Sequence, residues 1–266
     1  MLQRPLRFTT FLAPNVYSVY QCITDQVGAR LGVPTELAVG NCYDELANPP
    51  DVSFVCGLAY VELARAGRAA VEPIAAPLLQ GRRCGGRPVY FSDVIVHRNC
   101  PAQSFAELRG RSWAYNEPYS HSGYGVARYH LVRLGETNGF FGKVVEAGWH
   151  EEAVRLVADG EVDAAAIDSQ VLAVMLRDHP ALAAGLRIID TLGPSTIQPV
   201  VVARHLPDAV KAGVRAALLA LGDDPDSRPH LDHGFVERFV AVNDADYDDI
   251  RAMQAACAAA NFLRLH

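Results

Sequence analysis

The sequence predicts an α/β protein whose pattern suggests two lobes. Three observations point there. Short apolar runs alternate with longer stretches of helical period along the whole chain. The length, 266 residues, exceeds one small core and falls short of two ordinary large domains. Two apolar strands, 90–97 and 197–203, stand where a chain would leave a first lobe and later return to it. The expected division is 1–92 plus 197–266 as a discontinuous lobe, with 93–196 as the other.

In chain order, Leu6 to Leu12 reads as a strand, followed by a loop at Ala13-Pro14-Asn15 and a helix from Val16 to Leu31 that Gly32 stops. Thr35 to Val39 and Asp51 to Val55 are strands, and Gly57 opens a helix through Ala64. Val71 to Leu79 and Val89 to His97 are longer strands around the glycine-rich turn 81–86. Ser104 is placed to cap a short helical turn, with Glu107 completing a capping box. Ser112 to Tyr115 is a strand, and Tyr119 to Gly123 leads into a helix that ends at Gly135. Then come Lys143 to Glu146, a helix over 151–158, a strand over 162–167, and helices over 169–177, 207–221 and 245–258.

Half of the residues are apolar, a fifth are charged, and the formal net charge is −6. Lys and Arg are scattered, which argues against nucleic acid as the main partner, because backbone phosphates need a basic face. No apolar run approaches the roughly 18–20 residues of a membrane helix, so no membrane insertion is expected. The opening Met1-Leu2-Gln3-Arg4-Pro5 and the stretch after it lack a long apolar core and a small-residue cleavage site. The expected location is cytoplasmic as the sequence stands, or periplasmic if a leader precedes it.

Six cysteines show no CxxC pair, so no disulfide or zinc framework is expected, and Cys56 reads as a small core residue. His230-Leu231-Asp232-His233 lies in a Pro- and Asp-rich stretch and reads as a solvated loop rather than a metal site. Nucleotide-binding glycine fingerprints and Gly-x-Ser-x-Gly are absent. No cofactor and no metal are implied.

The segment richest in chemistry is Asn116-Glu117-Pro118-Tyr119-Ser120-His121-Ser122-Gly123-Tyr124. A strand ends and a helix begins on Ser, His and Ser in tandem. The first N–H groups of a helix have no internal acceptor and carry the positive end of its dipole. Ser120 and Ser122 add hydroxyl donors, and Gly123 lets a ligand approach the backbone. Such a mouth binds a phosphate-like group without Lys or Arg; plain capping by serine is the other reading. His150 precedes Glu151-Glu152 at a helix start, as an oxyanion donor or a backbone contact. Asp168 ends an apolar strand, as a ligand acceptor or the N-cap of the next helix.

Tyr90-x-Ser92, Ser104 to Gly110, Ser120-His121-Ser122-Gly123-Tyr124, Gly148-Trp149-His150 and Gly160 to Asp168, in this order, resemble the phosphonate-binding proteins of ABC importers. The resemblance runs from about Val52 to Ala203 and, more weakly, into both ends, and implies the two-lobed type 2 periplasmic binding fold, each lobe a mixed sheet flanked by helices, joined by two hinge strands. It implies that Ser120, His121 and Ser122 hold the phosphonate oxygens and that Tyr90 is the cleft tyrosine. Tyr60 matches the aromatic of a Gly-x-x-Tyr helix start, while His150 and Asp168 match the family's later histidine and acid. Two departures stand out: His121 replaces a small hydroxyl residue, and no export signal is visible.

The expected function is therefore a solute-binding component of an ABC-type uptake system, closing on a small phosphonate, phosphate or similar oxyanion. Tyr60 and the loop bearing Asn15 would close from the lobe opposite Ser120–Gly123. An ABC permease is the expected partner if the chain is exported. Two alternatives stay open: a cytosolic enzyme on the same fold, with His121 and His150 near neutral pKa as acid and base, or a cytosolic ligand sensor.

Overall fold

The computed structural model describes residues 4–265; Met1, Leu2 and Gln3, the first residues read for an export signal, lie outside it, as does His266. In chain order the elements are β1 (Leu6–Thr10), α1 (Tyr17–Leu31), β2 (Thr35–Val39), β3 (Val52–Phe54), α2 (Gly57–Arg65), β4 (Val71–Leu79) and β5 (Val89–His97). There follow β6 (Ser112–Tyr115), α3 (Val126–Arg133), β7 (Lys143–Glu146), α4 (His150–Ala158), β8 (Ala164–Asp168), α5 (Ser169–Asp178) and α6 (Pro180–Gly185). The chain ends through β9 (Leu186–Thr196), β10 (Val200–Ala203), α7 (Asp208–Leu219), α8 (Arg228–His233), β11 (Val236–Ala241) and α9 (Asp248–Ala259).

The chain divides into two compact units. The first runs to Val89 and resumes from Thr196 to Asp248; the second takes Tyr90–Ser195 and the chain from Asp249 onward. The first unit holds a six-stranded sheet in the order β11-β4-β10-β3-β1-β2. β1 pairs in parallel with β2 and β3, whereas β10 lies antiparallel between β3 and β4. Its core gathers Leu6, Phe8, Ile23, Leu46, Leu58 and Leu63, all essentially solvent-free. α1 ends where Gly32 takes a left-handed φ of 64°, a conformation that costs glycine nothing.

The second unit holds a five-stranded sheet, β7-β6-β8-β5-β9. β6 runs parallel to β7 and β8, and β5 runs antiparallel to β8 with Ser92 opposite Asp168. The C-terminal ends of β6 and β8 and the start of β5 therefore share one edge of the sheet. An aromatic cluster of Phe105, Trp113, Phe140 and Phe141 fills one face, with Trp113 and Phe141 stacked at 4.7 Å. α4 forms because Ala153, Val154 and Val157 share a buried face while Glu151 and Glu152 complement its N-terminal dipole.

The structure departs from the sequence reading at several places, among them the helix α6, which was not expected. The C-terminal segment, expected with the first lobe, belongs from Asp249 with the second unit, because Phe262 and Leu265 are buried in that unit's core. β9 and β11 were not expected. Ser104 makes no capping bond; Glu107 Oε2 accepts instead from the Gln103 N–H, one residue earlier. His230 to His233 is helical rather than a loop, held by Arg228 pairing with Asp232 over one turn. Among the described residues no cluster of metal-ligating side chains is found, no disulfide joins the six cysteines, and no helix is long and apolar enough to cross a membrane.

Candidate functional site

The segment after β6 builds a helix mouth on the shared edge of the second unit's sheet. A π-turn spans His121–Gly125 and continues without a break into α3. Neither the turn nor α3 carries an acidic residue in its first turn, so the helix supplies no carboxylate of its own there to offset its positive end. At α4, Glu151 and Glu152 supply that offset.

Ser120 is the N-cap, and its Oγ accepts from the Gly123 N–H at 3.1 Å. The capping reading is thus realised; it uses only the oxygen, and the hydroxyl also lies 3.5 Å from Ser122 Oγ. Ser122 Oγ lies 2.9 Å from His150 Nε2, with both residues buried. Burial alone pushes the His150 imidazole down to about 4, so it is neutral near pH 7. His150 Nδ1 is buried with no hydrogen-bond partner. A proton on Nδ1 would strand a donor, whereas a proton on Nε2 leaves only an under-used acceptor, the cheaper arrangement. Nε2–H therefore donates to Ser122 Oγ, whose own hydrogen is left for Ser120 Oγ, 3.5 Å away, or for a ligand. Only one of the two serine hydrogens can bridge the pair, which leaves the other as a donor at this helix start.

His121 is turned the other way. Its Nε2 is 2.8 Å from Ser195 Oγ on β9, and its ring centroid lies 6.5 Å from that of Tyr90. Burial pushes its pKa to about 4 as well. The near-neutral pair that the enzyme alternative requires is therefore not what the site provides. Gly123 is required by close approach: a Cβ there would sit 2.1 Å from Asn116 Oδ1.

Asp168 adopts the capping role. Its Oδ1 accepts from the N–H groups of Gln170 and Val171 at 2.8 and 3.3 Å, closing the mouth of α5. Tyr60 and Asn15 belong to the first unit. Tyr60 is fully buried on α2, donates its hydroxyl to Asp244 Oδ1, and packs edge-on against Tyr247 at 5.5 Å. Asn15 sits in the short 3-10 turn before α1, half-buried. In the second unit the fold thus brings Ser120, His121, Ser122, Gly123 and His150 together, with Tyr90 beside His121. The sequence reading missed Ser195, whose strand carries no clear apolar alternation, and Asn116, whose side chain sets the limit on position 123.

Over residues 8–247 the chain matches the family described as ABC transporter, phosphonate, periplasmic substrate-binding protein. The binding-protein component of an ABC phosphonate transporter from Pseudomonas aeruginosa superposes with a TM-score of 0.81 at 19% identity, covering 95% of this chain and 86% of that one. PhnD1 from Prochlorococcus marinus, solved with methylphosphonate, gives 0.83 at 17% identity, covering 96% and 98%. MatC from Rhodopseudomonas palustris, with bound malate, gives 0.65 at 15%, covering 97% and 98%. The fold is that of the type 2 periplasmic binding proteins, as expected. The chain belongs to the phosphonate-type periplasmic substrate-binding proteins of ABC transporters.

Proposed function

We propose that the solute bound by this chain is a small tetrahedral oxyanion, a phosphonate or phosphate, held at the mouth formed by Ser120, His121, Ser122 and Gly123. The observation that carries the reading is the 2.9 Å contact between Ser122 Oγ and a neutral, buried His150. It uses the Ser122 oxygen as an acceptor and leaves a serine hydroxyl hydrogen to serve a ligand at the positive end of a helix whose first turn carries no acid. His121 contributes its backbone N–H, because its ring is engaged by Ser195. Tyr90 and Asp168 flank the same sheet edge, Tyr90 through its packing on His121 and Asp168 as the acceptor nearest the end of β8.

The test is a thermal-shift and calorimetric comparison of methylphosphonate, phosphate, phosphite, 2-aminoethylphosphonate and malate. A ligand at 100 times its Kd stabilises the native state by about 2.7 kcal/mol, a readily measured shift. Ser122→Ala should weaken phosphonate or phosphate binding about 10- to 100-fold, the value of one hydrogen bond to a charged group. Malate binding with no response to any phosphorus oxyanion would overturn the reading.

A further inference from the structure

One buried cation has no counter-charge among the described residues. Arg128, on α3 one and a half turns beyond the mouth, is only 6% exposed. Its Nη2 donates to the Phe262 carbonyl at 2.7 Å, its Nε has no partner, and no carboxylate pairs with it among the described residues. The groups facing it are the Tyr124 ring at 5.2 Å, the Phe262 ring at 5.8 Å, and the thiol of Cys257 on α9, which burial pushes up. A buried, unpaired charge is costly to keep. Helical side chains lean toward the N-terminus, and this guanidinium lies over the ring of Tyr124, a residue of the mouth itself.

Resting on the anion site proposed above, we infer that Arg128 is a charge-selecting residue: it biases the mouth toward doubly charged oxyanions without touching them. From the helix rise, the cation stands about 8–12 Å from the mouth. Across roughly 10 Å of partly buried protein its attraction corresponds to about tenfold in affinity per unit of ligand charge. The same feature predicts discrimination between ligands of one shape and different charge.

The experiment compares methylphosphonate, dianionic at pH 8.5, with methanesulfonate, a monoanion of the same shape, by calorimetry on the full chain. For Arg128→Met the preference for methylphosphonate over methanesulfonate should fall about tenfold. Cys257→Asp, which sets a carboxylate beside the guanidinium and neutralises it in place, should produce the same fall. Arg128→Lys should keep most of the preference. Equal loss for both ligands in Arg128→Met and Cys257→Asp would reduce Arg128 to a packing residue and overturn the inference while leaving the site standing. If the wild-type chain binds neither ligand, the site itself fails and the inference goes with it. Should Arg128→Met not fold, the Cys257→Asp result decides.

Discussion

Gly123→Ala isolates the geometry on which the mouth depends. In an ordinary helical position this change is favourable, by about 0.5–1 kcal/mol, because alanine loses less backbone entropy than glycine. Here the new Cβ would sit 2.1 Å from Asn116 Oδ1 and 3.3 Å from the Asn116 backbone nitrogen, at a residue that is itself buried. The side chain of Asn116 or the turn must move, and overpacking of this kind costs about 1–3 kcal/mol. The clash outweighs the propensity gain, leaving a net loss of about 1–2 kcal/mol. At about 2–4 °C per kcal/mol for a protein of this size, the midpoint should fall by about 2–8 °C. Circular-dichroism melts of the variant and of Asn116→Ala/Gly123→Ala provide the check. Removing the Asn116 amide takes away the colliding atom, so the double variant should recover most of the loss, a coupling that marks direct contact. A single variant as stable as the parent, or a double variant no better than the single, would refute the close approach.

The two buried imidazoles set the pH dependence. Both have folded pKa values of about 4, below the ordinary 6.5, because burial disfavours the charged form. Their contribution is complete above pH 6.5 and is lost as pH falls from 6.5 toward 4, on the order of 3 kcal/mol each. Melts at pH 7.5 and 5 should show a steep decline that His150→Gln halves, and an unchanged slope would contradict neutral burial. Asp168→Ala should cost about 0.5–2 kcal/mol through loss of the α5 cap, seen as a lower denaturant midpoint at constant slope. Tyr60→Phe should cost about 0.5–1.5 kcal/mol, the net value of one hydrogen bond to the exposed Asp244 carboxylate, and a neutral result would show that this bond does not stabilise the first unit.

The parts legible in the sequence are those whose pattern is local. β2, β4, β5, β6 and β7 coincide with apolar runs bounded by turns, and the mouth at Ser120 announces itself by serine and glycine at a strand-to-helix junction. The unread strands, β9 and β11, are both sheet edges. An edge strand packs against one neighbour, so β9 exposes six of its eleven positions at least in part before reaching Leu192, and its alternation is lost. That loss hid Ser195, which lies 74 residues from His121 in the chain. A capping box at Ser104 was a fair local pattern, but Asp190 Oδ2 takes the Phe105 N–H at 3.3 Å, a long-range acceptor no window around Ser104 contains. The depressed histidine pKa values were equally out of reach, since they depend on burial by residues distant in sequence.

The way the chain threads its two units has a consequence for biosynthesis. The core around Trp113 needs Phe262 and Leu265, and the sheet built on β1 needs β10 and β11. As the polypeptide leaves the ribosome, the first unit cannot close until β11 has emerged, and the second waits for Phe262 and Leu265. Premature termination in α9 should therefore leave the first unit able to close, with the second protease-sensitive and Trp113 open to quenchers.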